Sequence, residues 1–143
     1  MARINVLLVD DETPFVETMT KRLTKRDLRI VAAYSGEEAL KELAKHSEIE
    51  VVILDVKMPV MDGIQALKEI KKRYPLIEVI MLTGHATVES AIEGMKWGAF
   101  DYLMKPCDID KLVSKAAEAA AKKRQHEEKI IQARLKEITA RRA

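Results

Sequence analysis

Asp10, Asp11, Asp55, Thr83 and Lys105 each stand at, or one step beyond, the end of a short apolar run. The runs are residues 4–9 (Ile-Asn-Val-Leu-Leu-Val), 51–54 (Val-Val-Ile-Leu), 79–82 (Val-Ile-Met-Leu) and 102–104 (Tyr-Leu-Met). Runs of this length read as buried strands. In an open parallel sheet the carboxyl ends of the strands share one rim, and ligands bind there. Three carboxylates, a hydroxyl and an ammonium, scattered along the chain, would therefore meet. Carboxylates gathered at one point repel each other unless a divalent cation lies among them, and a hydroxyl and a lysine are ordinary partners of a phosphoryl group. The expected chemistry is Mg²⁺-dependent phosphoryl transfer.

The elements that must position these groups alternate. Strands are predicted at about 4–9, 29–33, 51–54, 77–82 and 101–104. Helices are predicted at about 14–26, 36–45, 64–73, 87–96 and from Asp108 onward. Thr13-Pro14 reads as the cap and first residue of the first helix. Ser35-Gly36-Glu37-Glu38 opens the second, with acids in its first turn. Pro75 stops the third, and Gly98 ends the fourth. The pattern is an α/β (βα)₅ chain, a doubly wound three-layer sandwich of flavodoxin-like type. Its expected parallel order, 2-1-3-4-5, puts the ends of strands 1 and 3 at the switch point, where Asp10, Asp11 and Asp55 lie.

Composition narrows the class. The 143 residues are 48% hydrophobic but only 4% aromatic, so the core is expected to be aliphatic. The single cysteine, Cys107, excludes an internal disulfide and a multi-cysteine metal site. No signal peptide or membrane span is read, and a cytoplasmic location is expected. Charge is unevenly spread. Residues 1–121 hold 17 Lys and Arg against 20 Asp and Glu, net −3; residues 122–143 hold 8 against 3, net +5. Two units are therefore expected: a body over 1–121 and a charged helical extension or linker over 122–143.

Four segments together resemble the response-regulator receiver domain of two-component signalling, over about residues 3–121. They are Val9-Asp10-Asp11-Glu12, the stretch Leu54-Asp55-Val56-Lys57-Met58-Pro59-Val60-Met61-Asp62-Gly63, Leu82-Thr83-Gly84, and Asp101-Tyr102-Leu103-Met104-Lys105-Pro106. Each alone is a weak pattern; in this order, at successive strand ends, they are specific. The resemblance implies a phosphorylation-controlled module rather than an enzyme. Asp55 would be the phosphoacceptor, taking a phosphoryl group from a sensor histidine kinase or a phosphotransfer protein. It implies Mg²⁺ held directly by Asp11, through water by Asp10, and by Asp55 and the main-chain carbonyl of Lys57. Thr83 and Lys105 would contact phosphoryl oxygens, and Gly84 would leave room beside them. Lys57 and His85 would tune loss of the acyl phosphate, and the Lys105–Pro106 peptide would be cis. Thr83 and Tyr102 would form a coupled switch that remodels the face of helix 4, strand 5 and helix 5.

Other readings stand beside these. Asp55 could be a loop or capping aspartate, Tyr102 a half-buried tyrosine on an edge strand. An aspartyl phosphatase of the same layout carries a second aspartate two residues after the nucleophile, where this chain has Lys57. A flavin or nucleotide binder needs a phosphate loop that Asp10, Asp11 and Glu12 would repel. From Asp108 to Arg141 there is no proline or glycine, and Glu118 and Lys122 are spaced for an i,i+4 pair. Roughly 50 Å of helix is longer than the body needs, so it should project. Ile131, Leu135 and Ile138 have coiled-coil spacing, but Arg124 and Glu128 break the register. The extension is a linker to an output domain, a dimerising or kinase-contacting helix, or a nucleic-acid contact; the receiver itself is not expected to bind nucleic acid. The Thr83–Lys105 stretch resembles receivers of enhancer-binding transcriptional activators. A stand-alone phosphorelay intermediate is the other option, and a homodimer through the helix 4–strand 5–helix 5 face is a further expectation.

Overall fold

The computed structural model describes residues 3–142. Strands and helices alternate: β1 (Ile4–Val9), α1 (Thr13–Lys25), β2 (Leu28–Ala33), α2 (Gly36–Lys45), β3 (Val51–Leu54), α3 (Gly63–Arg73), β4 (Glu78–Thr83), α4 (Val88–Lys96), β5 (Asp101–Met104) and α5 (Ile109–Arg142). The sheet is wholly parallel, in the order β2-β1-β3-β4-β5. The expected flavodoxin-like α/β sandwich is what the chain forms.

Successive strand residues face opposite sides of the sheet. Val6, Leu8, Ile53, Ile80, Leu82 and Leu103 pack with α1 and α5. Leu7, Val9, Val52, Leu54, Val79 and Met81 pack with α2 and α3. Both faces are covered, so β3, residues 6–9 of β1 and residues 79–82 of β4 are continuous apolar runs rather than alternating ones. Burying each Leu or Ile stabilises the fold by about 1.5–3 kcal/mol. The expectation of an aliphatic core holds.

Helix starts follow local chemistry. Ser35 caps α2 by accepting Glu38 N–H at 3.1 Å. Asp62 and Gln65 form a reciprocal capping box for α3, and Thr87 and Ser90 do so for α4. The start of α1 differs from the prediction. Thr13 is already helical, Glu12 is the cap residue, and its side chain makes no capping bond. The turn is instead closed by Asp10, whose Oδ1 accepts Glu12 N–H at 2.9 Å. Gly98 follows α4 with φ +98°, a conformation glycine takes without steric cost.

The predicted Glu118–Lys122 pair is absent. Lys122 turns to the buried Glu78 at 3.0 Å, while Glu118 pairs with Lys115 at 3.6 Å. Burying a carboxylate is costly unless it is paired, and Lys122 joins Lys71, whose ammonium lies 3.2 Å from Glu78 Oε1, in compensating the Glu78 charge. α5 is one helix of 34 residues, about 51 Å long at the standard rise. Arg124 holds Glu50 of the body at 2.6 and 2.8 Å, which is why an arginine interrupts the heptad there. Beyond Arg124 all described residues but Glu127 are exposed. Of the two units expected from charge, the outermost residues Met1, Ala2 and Ala143 lie outside the described part. Among the described residues no helix is long and apolar enough to cross a membrane.

Candidate functional site

Strand register brings the acids together. Val9 is opposite Leu54 in the β1–β3 ladder. The ladder runs one step further, with Asp55 N–H donating to Val9 carbonyl at 3.0 Å and Asp10 N–H to Ala33 carbonyl at 3.2 Å. Asp10 and Asp55 thus leave the sheet side by side, 1% and 2% exposed, with Asp11 exposed above them. One carboxylate oxygen from each of Asp10, Asp11 and Asp55 lies within 4.8 Å of the others. Asp11, Glu12, Asp55, Lys57, Met58, Pro59 and His85 line a cleft of about 390 Å³ over this group.

Lys105 arrives from the far side. Its N–H donates to Thr83 carbonyl at 2.8 Å, continuing the β4–β5 ladder. Its ammonium donates to Asp10 Oδ2 at 2.6 Å and reaches Glu12 Oε1 at 3.4 Å. It also lies 3.9 Å from the centroid of the Phe15 ring. The Lys105–Pro106 peptide is cis. One ammonium thus faces several carboxylates. Burial pushes the Asp55 carboxyl above its ordinary range and the Asp10 charge adds to this, while the Thr83 hydroxyl, Lys105 and Val56 N–H oppose it. Burial alone would lower the Lys105 ammonium, but Asp10 foremost, with Asp55 and Glu12, raises it. Excess negative charge on oxygen donors, two of them buried, fits a hard divalent cation such as Mg²⁺. The donor set is all carboxylate, with no sulfur or imidazole in the cluster.

Thr83, fully buried at the end of β4, accepts His85 N–H on Oγ1 at 3.0 Å. Strand parity places Thr83 with Met81 on the α3 side, whereas Lys105 packs toward α1. Tyr102, half-buried, shares the Thr83 side and meets α4 rather than the cleft. The structure therefore gathers Asp10, Asp11, Asp55 and Lys105 tightly, sets Thr83 beside them, and leaves Tyr102 one layer away. Lys57 and His85 are exposed on the cleft wall. At Gly84 an added Cβ would meet only Lys105 side-chain carbons, at 3.8 and 4.0 Å, so the resting fold itself leaves that space open.

Three contributors escaped the sequence reading. Glu12 and Phe15 hold Lys105, and Ser90 holds Tyr102. Phe15 is one of two phenylalanines in the chain, which was the only hint. Gly63, the last residue of the Leu54–Gly63 stretch, carries a separate constraint: a Cβ there would lie 2.0 Å from the Asp55 carbonyl oxygen. The α3 start is pressed against the backbone of Asp55, and Gly63 N–H donates to Val56 carbonyl at 2.7 Å.

Comparison with known proteins agrees with this geometry. The family model for the response regulator receiver domain matches residues 6–117. The chain is 37% identical over 123 residues to the transcriptional regulatory protein ZraR of Salmonella typhimurium, covering 86% of this chain and 28% of that protein. It is 38% identical over 114 residues to the DNA-binding transcriptional regulator NtrC of Escherichia coli K12, covering 80% and 24%. It thus spans about a quarter of the length of these relatives. A response regulator receiver domain protein from Clostridium thermocellum superposes with a TM-score of 0.81 at 36% identity, covering 85% of this chain and 98% of that one. A family match over most of the chain, joined to the sheet order and the acidic rim, settles the kinship: the chain belongs to the response regulator receiver domain family.

Proposed function

We propose that Asp55 accepts a phosphoryl group and that the chain signals through the resulting change at its α4–β5–α5 face. The observation carrying this is the buried Asp55 flanked by Asp10, Asp11 and Lys105 under one open cleft. In the proposed step an Asp55 oxygen attacks the phosphorus of a phosphohistidine in line. The P–O bond forms as the P–N bond breaks, and the departing imidazole keeps the electron pair and takes a proton from solvent. Lys105, poised against Asp10, pairs with one phosphoryl oxygen, and the Thr83 hydroxyl donates to another. The carboxylates of Asp10, Asp11 and Asp55, with the Lys57 carbonyl, would hold Mg²⁺, which supplies charge neutralisation at the phosphoryl oxygens.

Donors of this chemistry are sensor histidine kinases, phosphotransfer proteins and small acyl phosphates, and such partners place the chain in the cytoplasm. The module reports a state rather than turning over a substrate. Thr83 and Tyr102 would shift together, altering a face on which Val88, Ile92, Met95 and Met104 are exposed. That apolar surface supports contact with a partner or a second copy; the stripe of Ile131, Leu135 and Ile138 on α5 offers a second route to a homodimer. Likeness to a quarter of two transcriptional regulators supports a receiver that governs an output domain in a longer protein, rather than a stand-alone relay.

The test is intact mass after mixing with Mg²⁺ and acetyl phosphate. The expected result is a gain of about 80 Da, absent in Asp55→Asn and absent with chelator. A folded wild-type chain that gains no mass, and does not turn the donor over, would overturn the proposal.

A further inference from the structure

α4 is the least embedded helix of the body. Of its nine residues only Gly94 is buried, while Val88, Ile92 and Met95 are 72%, 62% and 50% exposed. Apolar burial therefore contributes little to its docking, which marks it as an element of low local stability. Two contacts with Tyr102 of β5 take its place. The ring lies against Gly94, where a Cβ would sit 3.5 Å from Cδ2. The phenol oxygen is 2.5 Å from Ser90 Oγ.

Ser90 Oγ has further partners at the start of α4. Its hydroxyl has one proton, and the Thr87 carbonyl at 3.1 Å can only accept. Ser90 Oγ also accepts Thr87 N–H at 3.1 Å. Thr87 Oγ1 lies 3.0 Å from Ser90 Oγ as well, so either hydroxyl can donate in the Ser90–Tyr102 bond. Ser90 N–H in turn donates to Thr87 Oγ1 at 3.0 Å, so the same residue closes the capping box and seats the tyrosine. On the other side of the short loop, Thr83 Oγ1 accepts His85 N–H. A movement of Thr83 pulls on this loop, and the loop ends at the cap that Ser90 completes.

We propose that Ser90 is the positioning residue of the switch: the hydrogen bond between the Tyr102 and Ser90 hydroxyls is the latch that holds α4 against β5 in the resting chain. The release of this latch rests on the phosphoacceptor reading of Asp55; the latch itself is a property of the unmodified chain. Shifting Thr83 disturbs the cap of α4, Ser90 loses its geometry, and Tyr102 is freed to leave its seat on Gly94.

The test is amide hydrogen exchange of the full chain over residues 88–96, first without phosphodonor. Tyr102→Phe keeps the ring on Gly94 and the capping box intact, yet removes the phenol hydroxyl and with it the bond. Exchange over α4 should quicken about fivefold, the factor one ordinary hydrogen bond contributes. Ser90→Ala should quicken it at least as much, Ser90→Thr should restore the resting rate, and the double variant should exchange no faster than Ser90→Ala alone. Resting-rate exchange in Tyr102→Phe, or effects that multiply in the double variant, overturns the latch. With acetyl phosphate and Mg²⁺, a mass-confirmed phosphorylated chain should show the Tyr102→Phe rate over α4; an unchanged rate overturns latch release. Failure to gain mass counts against Asp55 alone, and the Tyr102→Phe comparison still decides the latch.

Discussion

At the scale of single residues, the loop after Asp55 is held by two backbone conditions of opposite consequence. Gly63 must lack a Cβ, because one would collide with the Asp55 carbonyl oxygen at 2.0 Å and the Val56 Cα at 2.7 Å. Both obstacles are backbone, so no rotamer change relieves them. Gly63→Ala is expected to cost about 1–3 kcal/mol in urea unfolding and to slow phosphoryl uptake by displacing Asp55. An equal urea midpoint would show that the α3 start can slide. Gly84→Ala is the contrasting control, since its Cβ makes only ordinary contact, and it should unfold like wild type. Val60 is the other condition. It has φ +66°, is β-branched, and is 92% exposed, so it bears left-handed strain with no packing to offset it. Val60→Asn should stabilise the chain by about 1 kcal/mol. A loss of stability would show that the valine side chain makes a contact of its own.

At the scale of elements, what the sequence could and could not reveal divides along the sheet. Its carboxyl-end rim was legible because apolar runs end in residues that do not belong in a core: Asp10, Asp55, Thr83 and Lys105. Tyr102 was legible only through resemblance, and its partner Ser90 not at all, because nothing in a serine near a helix start distinguishes a cap from a seat for a phenol. The amino-end rim was illegible for a like reason. Glu50 and Glu78 precede or begin apolar runs and look like solvated charges, yet both are buried. Their partners from α5, Arg124 and Lys122, come more than forty residues later, though Glu78 also meets Lys71 of α3. Only the fold brings them together. Burial pushes the Glu50 carboxyl up, but the Arg124 hydrogen bonds, Asn5 N–H, and the charges of Arg124 and Lys123 outweigh it, leaving Glu50 below its ordinary 4.5. A carboxyl lowered in the folded state stabilises fully above its unfolded value, and that stability is lost as pH falls through the lowered one. The acid side of the stability curve, below about pH 4.5, should therefore be shallower in Glu50→Gln. Arg124→Ala should cost about 1–3 kcal/mol at neutral pH, less than a fully buried pair because the arginine is partly exposed. A loss within error in urea unfolding would assign the anchoring of α5 to its alanines alone.

At the scale of the whole molecule, these ion pairs mark where the body stops. Charge composition places the boundary of the two units at residue 121. The last side chain of α5 bonded to the body is Arg124, three residues further on. Past it the helix has exposed side chains on all sides, Ile131, Leu135 and Ile138 among them, and its internal support is slight: the Lys123–Glu127 pair and the Thr139 hydroxyl on Leu135 carbonyl. A lone stretch of this length is near the margin at which helices hold in water, because propagation barely outweighs nucleation. We propose that the body is complete at Arg124 and that the rest of α5 is an extension whose rigidity comes from the anchored half. A chain ended after Arg124 should keep its thermal midpoint within about 2 °C, since no buried contact is removed. It should take up a phosphoryl group at the full-length rate and lose helical ellipticity in proportion to the residues removed. A fall in the midpoint of more than about 5 °C would mean that the extension folds back on the body. Ending the chain before Lys122 should behave differently, because both Glu50 and Glu78 would then lose their α5 partners, and that contrast tests whether the ion pairs rather than the charge boundary define the end of the receiver.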